Sequence, residues 1–197
     1  KNPFYINKAH EMLLSNDYPH LWWKYYYLKE EYEKATQLTF EYGNLDAWQS
    51  FMMGESYARL NQLSQAIFYT EDAYELEPTN QMFCMQLLKR YVANGALNKA
   101  NKFGNQLLNE FGDNAIILNS LAKIYTLKKQ YSNAKKYVDH AYQLDPDDLS
   151  IWETYFNLSI QLGDDKNVLY WLDKIQEKQP NYIESNQLDE ILDSLKD

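Results

Sequence analysis

The stretch AYELEP at residues 73–78 returns as AYQLDP at 141–146, a displacement of 68 residues, or two steps of 34. Pro180 lies 34 residues after Pro146, and Gly112, another helix breaker, lies 34 before it. These marks divide residues 47–182 into four consecutive units, 47–80, 81–114, 115–148 and 149–182. Self-similarity at a fixed period of this size marks a repeat array, in which each unit buries its apolar face only against its neighbours.

Apolar residues recur at i, i+3, i+4 and i+7 inside the units, with turn residues on schedule between them, so the chain is predicted to be all helix. In the unit 115–148, Leu118, Leu121, Ala122, Tyr125, Ala134, Val138, Ala141 and Pro146 hold the recurring positions. The unit 47–80 has Met53, Gly54, Tyr57, Ala66, Ala73 and Pro78 there. The unit 81–114 has Leu87, Tyr91, Ala100 and Leu107, and 149–182 has Trp152, Val168, Leu172, Ile175 and Pro180.

This pattern resembles the tetratricopeptide repeat, a helix-turn-helix unit with the signature W-x2-L-G-x2-Y, then A-x3-F, then P. The resemblance implies an all-α, right-handed superhelical solenoid of antiparallel helix pairs with a C-terminal capping helix. Leu88 and Phe156 depart from the small residue of the signature, and Thr70 and Gly104 from its second-helix aromatic. Less regular packing is expected at those four places.

Upstream, KEEYEKA at 29–35 matches KKQYSNA at 128–134, so residues 16–46 are read as a degenerate unit three residues short, its second helix ending near Gly43. Residues 1–15 are read as a partial or capping helix, because INKAHEMLL at 6–14 echoes LNKA at 97–100. Asp17 before Tyr18 and Pro19 reads as a helix start, since proline's missing N–H costs nothing in a first turn. At the other end, 183–197 is expected to form the capping helix, Ser185 at its start and Leu188, Ile191, Leu192 and Leu195 on one stripe. The opening at Lys1 without an initiator Met is read as a cut within a longer protein.

The composition fits a helical array: 45% hydrophobic residues supply a core, and 6 Gly with 5 Pro are few for a β-rich or disordered chain. No apolar run approaches the roughly 18 residues of a membrane helix, and no compartment is legible. The single Cys84 reads as a small buried hydrophobe. HExxH, paired CxxC, Gly-rich phosphate loops and GxSxG are absent, so the chain is read as a non-enzyme without cofactor or metal. His10, His20 and His140 fall in different units, with His140 expected at the rim. The acid pairs Asp147/Asp148 and Asp164/Asp165 sit where carboxylates cap helices.

The net charge of −9 is unevenly spread, with −6 over residues 1–80, +6 over 81–144 and −9 over 145–197. An acidic total opposes phosphate-backbone binding, which needs a concentrated cationic surface, so nucleic acid is excluded as a partner.

In the tetratricopeptide family, first helices of successive units line a concave groove in which a partner's peptide or helix docks. The resemblance places Trp48, Phe51, Met52, Glu55 and Arg59 there from one unit, and Met82, Met85, Gln86, Lys89 and Val92 from the next. It adds Asn119, Ser120 and Lys123 from the third unit, with Glu153, Thr154 and Asn157 from the last. Trp48, Phe51, Met52, Met82 and Met85 are expected to form an apolar wall, the core offsets of those helices being filled by Met53, Tyr57, Leu87 and Tyr91. Methionines adapt to irregular apolar partners, and aromatics anchor them.

Lys89 and Lys123, 34 residues apart, are expected to read one or two acidic residues beside those anchors. The lysine, asparagine and arginine set with which chaperone adaptors clamp a chaperone's C-terminal carboxylate is not reproduced, its offsets holding residues such as Met52, Met85, Ser150 and Thr154. The function expected is therefore protein–protein interaction through the groove. The alternatives are an assembly scaffold using its convex face or ends, and a recognition segment of a larger enzyme. Tandem aromatics at Trp22, Trp23 and Tyr25 to Tyr27 cannot all face one core, because helix neighbours point about 100° apart.

Overall fold

A computed structural model describes residues 8, 11, 22–38, 45–186 and 188 of the chain. The helices are α1 (Trp22–Leu28), α2 (Tyr32–Leu38), α3 (Ala47–Arg59), α4 (Leu63–Leu76), α5 (Gln81–Ala93), α6 (Leu97–Phe111), α7 (Ala115–Leu127), α8 (Tyr131–Leu144), α9 (Leu149–Leu162), α10 (Asp165–Lys178) and α11 (Tyr182–Asn186). Among the described residues there is no strand. Two compact units divide them, Lys1–Asn94 holding α1 to α5 and Gly95–Asp197 holding α6 to α11.

Helix starts obey the 34-residue step because the capping chemistry does. The four helices that begin at Ala47, Gln81, Ala115 and Leu149 are each preceded by an Asp or Asn: Asp46, Asn80, Asn114 and Asp148. Each side chain accepts from a backbone N–H of the first turn, satisfying a donor the helix cannot. Asp46 and Gln49 complete a reciprocal capping box, at 2.8 and 3.0 Å.

A left-handed residue recurs between helices at one point of the repeat register. Asn61, Gly95, Lys129 and Gly163, again 34 apart, have φ of 57°, 70°, 59° and 64°. Glu30, between α1 and α2, has φ of 66°, so the degenerate unit turns in the same register. Only two of the five are glycine, and the others carry the steric cost of the left-handed region.

Within each unit, consecutive helices pack as antiparallel pairs, α3 on α4 in the first, α7 on α8 and α9 on α10 in the second. Met53, Tyr57 and Ala66 form one core cluster of the first unit, with Ala47, Phe51, Ala73 and Phe83 another. In the second unit Leu118, Ala122, Val138 and Ile151 pack together, and Trp152, Phe156, Trp171 and Ile175 lie further along. Burying each such side chain contributes about 1.5–3 kcal/mol. Tyr57 stacks on Tyr69 with planes 8° apart, and Tyr125 on Tyr137 with planes 6° apart.

The departures from the repeat signature are absorbed in different ways. Leu88 and Phe156 are buried in the core. Thr70, in place of an aromatic, leaves space that Arg90 fills: its guanidinium donates to the Thr70 hydroxyl and to the Glu55 carboxylate, while Thr70 donates to the Ala66 carbonyl at 2.6 Å. Burial lowers the Arg90 pKa, and Glu55 opposes that shift. Gly54 makes the arrangement possible, since a Cβ there would stand 2.6 Å from Thr70 Oγ1 and 3.1 Å from both the Ala66 carbonyl and Arg90.

Cys84 is buried, its Sγ 3.2 Å from the Pro78 carbonyl. Asp148 and Asp164 serve as helix caps. Of the tandem aromatics, Trp23 and Tyr25 are buried while Trp22, Tyr26 and Tyr27 are half-buried. Tyr182 opens α11 and packs edge-on against Phe156 at 6.2 Å. The expectations for 6–14, for Asp17 to Pro19, for the helix end near Gly43 and for Ile191, Leu192 and Leu195 fall outside the described residues, as do His10 and His20.

Candidate interaction surface

In the first unit, α3 and α5 bring together most of the expected site residues. Trp48 is 48% exposed, and Met82, at the equivalent position of the next repeat, is 42% exposed. Met52 and Met85 are half-buried, and Arg59 and Lys89 are exposed. Trp48 is not a loose surface ring: its centroid lies 5.1 Å from Phe83 and 6.0 Å from Phe51, edge-on to both. Phe51 and Phe83 stack at 4.9 Å, and Met52 packs against the cluster they form. The result is an indole fixed at the surface over a closed aromatic floor.

Two of the expected contacts differ from the sequence reading. Phe51 is 7% exposed, so it supports Trp48 from below instead of lining the surface. The reason is Phe83, fully buried one repeat later, which draws Phe51 into a stack. The Glu55 carboxylate is held by Arg90, so it is part of the helix-packing network and not an open charge. Phe83 was legible as a buried position, because Ile117 and Ile151 follow it at steps of 34 and are also fully buried. The Arg90 contact had no repeat signal, Ile124 and Leu158 standing at its equivalents.

In the second unit the corresponding helix faces, on α7 and α9, are polar. Asn119 Nδ2 donates to Ser150 Oγ at 2.9 Å, and Lys123 Nζ donates to the same oxygen at 3.0 Å. Asn119 is 5% exposed, so it too departs from the expected open position, although its buried Oδ1 has no hydrogen-bond partner. Ser120 and Thr154 are also buried, because each hydroxyl donates back to its own helix, to the Ile116 and Ser150 carbonyls at 2.8 Å. Glu153 is half-buried, and desolvation raises its pKa, with Lys123 opposing and Asp148 reinforcing the shift. His140 lies at a half-exposed edge, 3.2 Å from Asp113.

These clusters combine apolar side chains in the first unit with hydrogen-bonding groups in the second. Among the described residues no group of three or more His, Cys, Asp and Glu is placed to hold a metal. No helix described is long and apolar enough to cross a membrane.

Comparison with known proteins agrees with the repeat reading. The tetratricopeptide repeat model matches residues 50–80 and 115–148. No curated protein matches the chain in sequence. Among solved structures, MamA from Desulfovibrio magneticus RS-1 is similar with a TM-score of 0.67 and 15% identity, over 83% of this chain and 94% of that one. TTC0263, a thermophilic repeat protein of Thermus thermophilus, gives a TM-score of 0.65 at 17% identity, over 84% and 92% of the two chains. YrrB, described as a repeat protein with an unusual peptide-binding site, gives 0.63 at 20% identity, over 76% and 79%.

Proposed function

We propose that this tetratricopeptide-repeat protein, an interaction module by family, holds an extended or helical segment of a partner protein against the faces of its first helices and performs no catalysis of its own. In the first unit the apolar contacts are Trp48, Met52, Met82 and Met85, with Lys89 and Arg59 beside them. In the second unit the polar contact is Lys123. The partner segment therefore presents large apolar side chains, with acidic residues near them.

The observation that carries this reading is Trp48, half exposed and pinned edge-on over Phe83. A rigid aromatic at a surface loses little entropy on binding, which is why such residues dominate interface energies. Met82, exposed at the next repeat, adds an adaptable apolar contact. Lys89, on the same helix as Met82, makes the site favour acidic neighbours.

The competing reading is an assembly scaffold that uses the outer helices. Phe68 and Leu76, 63% and 53% exposed on α4, support it. Paired substitutions separate the two. Met82→Glu with Lys89→Glu is expected to abolish capture of the native partner while leaving helical circular dichroism intact. Phe68→Glu with Leu76→Glu is expected to leave capture unchanged, and the reverse result would transfer the function to the outer face.

A further inference from the structure

The repeat register exposes a gap in the last unit. Tyr57, Tyr91 and Tyr125 occupy one repeat position at steps of 34, and the next step falls on Ser159. In two of those units the tyrosine ring stacks on the ring twelve residues later, Tyr57 on Tyr69 and Tyr125 on Tyr137, both at 5.3 Å. The last unit keeps the second ring, as Trp171, but has replaced the first by a hydroxymethyl group.

The stack has moved instead of vanishing. Tyr155, one helical turn before Ser159, lies flat on Trp171 at 4.3 Å with planes 4° apart, and its hydroxyl donates to Asp139 at 2.7 Å. Since Tyr155 stands where the other units have Met53, Leu87 and Leu121, the ring has shifted along α9, and Ser159, 6% exposed, puts only a small side chain at the old position. A cavity of about 260 Å³ lies there, between α8, α9 and α10 of the second unit. Its walls include Leu158, Ser159, Leu162, Tyr155 and Trp171.

We propose that this cavity is a binding pocket for a single unphosphorylated tyrosine side chain presented by a protein partner. An apolar cavity of about 150 Å³ already accepts one benzene ring, so the volume admits a phenol. The walls mix aromatic and aliphatic side chains, Tyr142, Tyr155, Leu158, Leu162 and Trp171, with polar ones that can fix the orientation of a ligand. The sister units show which group completes this position in the fold, a tyrosine ring. The polar lining sets the rest of the specificity: Asp139, which already accepts from Tyr155 and Lys135, and Asp164, which accepts from Asn167, keep further lone pairs for a phenolic hydroxyl. The two carboxylates repel a phosphate ester; of the cations nearby, Lys135 is paired with Asp139 at 3.0 Å, and Lys174 is engaged with the Tyr142 hydroxyl at 3.3 Å and lies over the Tyr142 and Trp171 rings. Pocket residues on α9 lie on the side of that helix facing α8 and α10, away from Glu153 and Asn157. The site uses none of the residues proposed to hold the partner segment, and neither proposal depends on the other.

The test is a titration of the full chain with 4-methylphenol, followed by the indole N–H resonances of the protein. Saturable, millimolar shifts at the Trp171 signal are expected, together with competition by N-acetyltyrosine amide and none by 4-methylphenyl phosphate. Ser159→Tyr, which restores the ring of the sister units, is expected to abolish the shifts while retaining the fold. Should that variant fail to fold, Ser159→Leu provides the same block with a smaller side chain. Absence of saturation, equal binding of the phosphate ester, or shifts that survive the filled pocket would overturn the proposal. Binding of 4-methylphenol without competition from the tyrosine amide would also overturn it, assigning the pocket to a free small phenol.

Discussion

The exposed indole of Trp48 and the fully buried ring of Phe83 meet edge-on with centroids 5.1 Å apart, one on α3 and the other on α5. One ring holds the first unit together, and the other presents that unit to solvent. Edge-to-face contact is worth about 0.5–1.5 kcal/mol beyond burial, enough to fix the indole without closing it off.

This division of labour predicts opposite outcomes for two truncations. Phe83→Ala removes a fully buried ring and is expected to cost about 3–5 kcal/mol. Trp48→Ala removes a half-exposed ring and is expected to cost about 1 kcal/mol, mostly the lost edge contact. Urea unfolding followed by circular dichroism gives both values. Partner binding, in contrast, is expected to fall most for Trp48→Ala.

Gly54→Ala tests the close packing around Arg90. The added methyl would lie 3.1 Å from the Ala66 carbonyl, which is backbone and cannot rotate aside, so a loss of about 1–3 kcal/mol is expected. Arg90→Ala leaves Thr70 and Glu55 without their donor and is expected to cost about 3–5 kcal/mol, as for a broken buried pair. Arg90→Met, which fills the volume, is expected to lose less. Equal losses for Ala and Met would show that charge pairing, not volume, governs the site.

The left-handed turn position gives a test in both directions. Lys129 has φ of 59°, where an L-residue carries a cost of roughly 1–2 kcal/mol. Lys129→Gly is therefore expected to stabilise the fold by about 0.5–1 kcal/mol after the entropic cost of glycine. Gly95→Ala is expected to destabilise by about 1 kcal/mol through the backbone alone, because no atom lies within 4 Å of the added Cβ. Thermal melts of the two variants, moving in opposite directions, are the measurement.

Burial raises the pKa of several tyrosines, among them Tyr57, Tyr137 and Tyr155, and pushes Tyr182 up to about 12. An unfolded tyrosine ionises near 10. Between those values the folded chain binds more protons than the unfolded one, so stability declines as pH rises. Stability is expected to be level below about pH 9 and to fall from pH 10 to 12. Tyrosinate absorbance should rise together with the loss of helical signal, and full tyrosinate absorbance in a folded chain would contradict the burial.

The fold was legible because its punctuation recurs in the sequence. Asp46, Asn80, Asn114 and Asp148 cap, and Asn61, Gly95, Lys129 and Gly163 turn, each at steps of 34. Such positions act locally, so local residue type suffices to read them. The surface was less legible, because exposure depends on what neighbouring helices contribute. Phe51 had the register of an open residue but was claimed by Phe83, and Glu55 was claimed by Arg90. Asn119 was closed over by its bond to Ser150, thirty-one residues away. The pocket at Ser159 required coordinates, since the register reveals a missing tyrosine but not that Tyr155 takes over its stack.

The central claim is that the partner sits on the face of the first unit that carries Trp48 and Met82. A photoreactive amino acid placed at Met82 in the whole protein, and separately at Phe68, reports directly on which face is covered. The account predicts a cross-link to the native partner from position 82, lost when Trp48 is changed to Ala, and none from position 68. A partner cross-linked from position 68 and not from position 82 would contradict it.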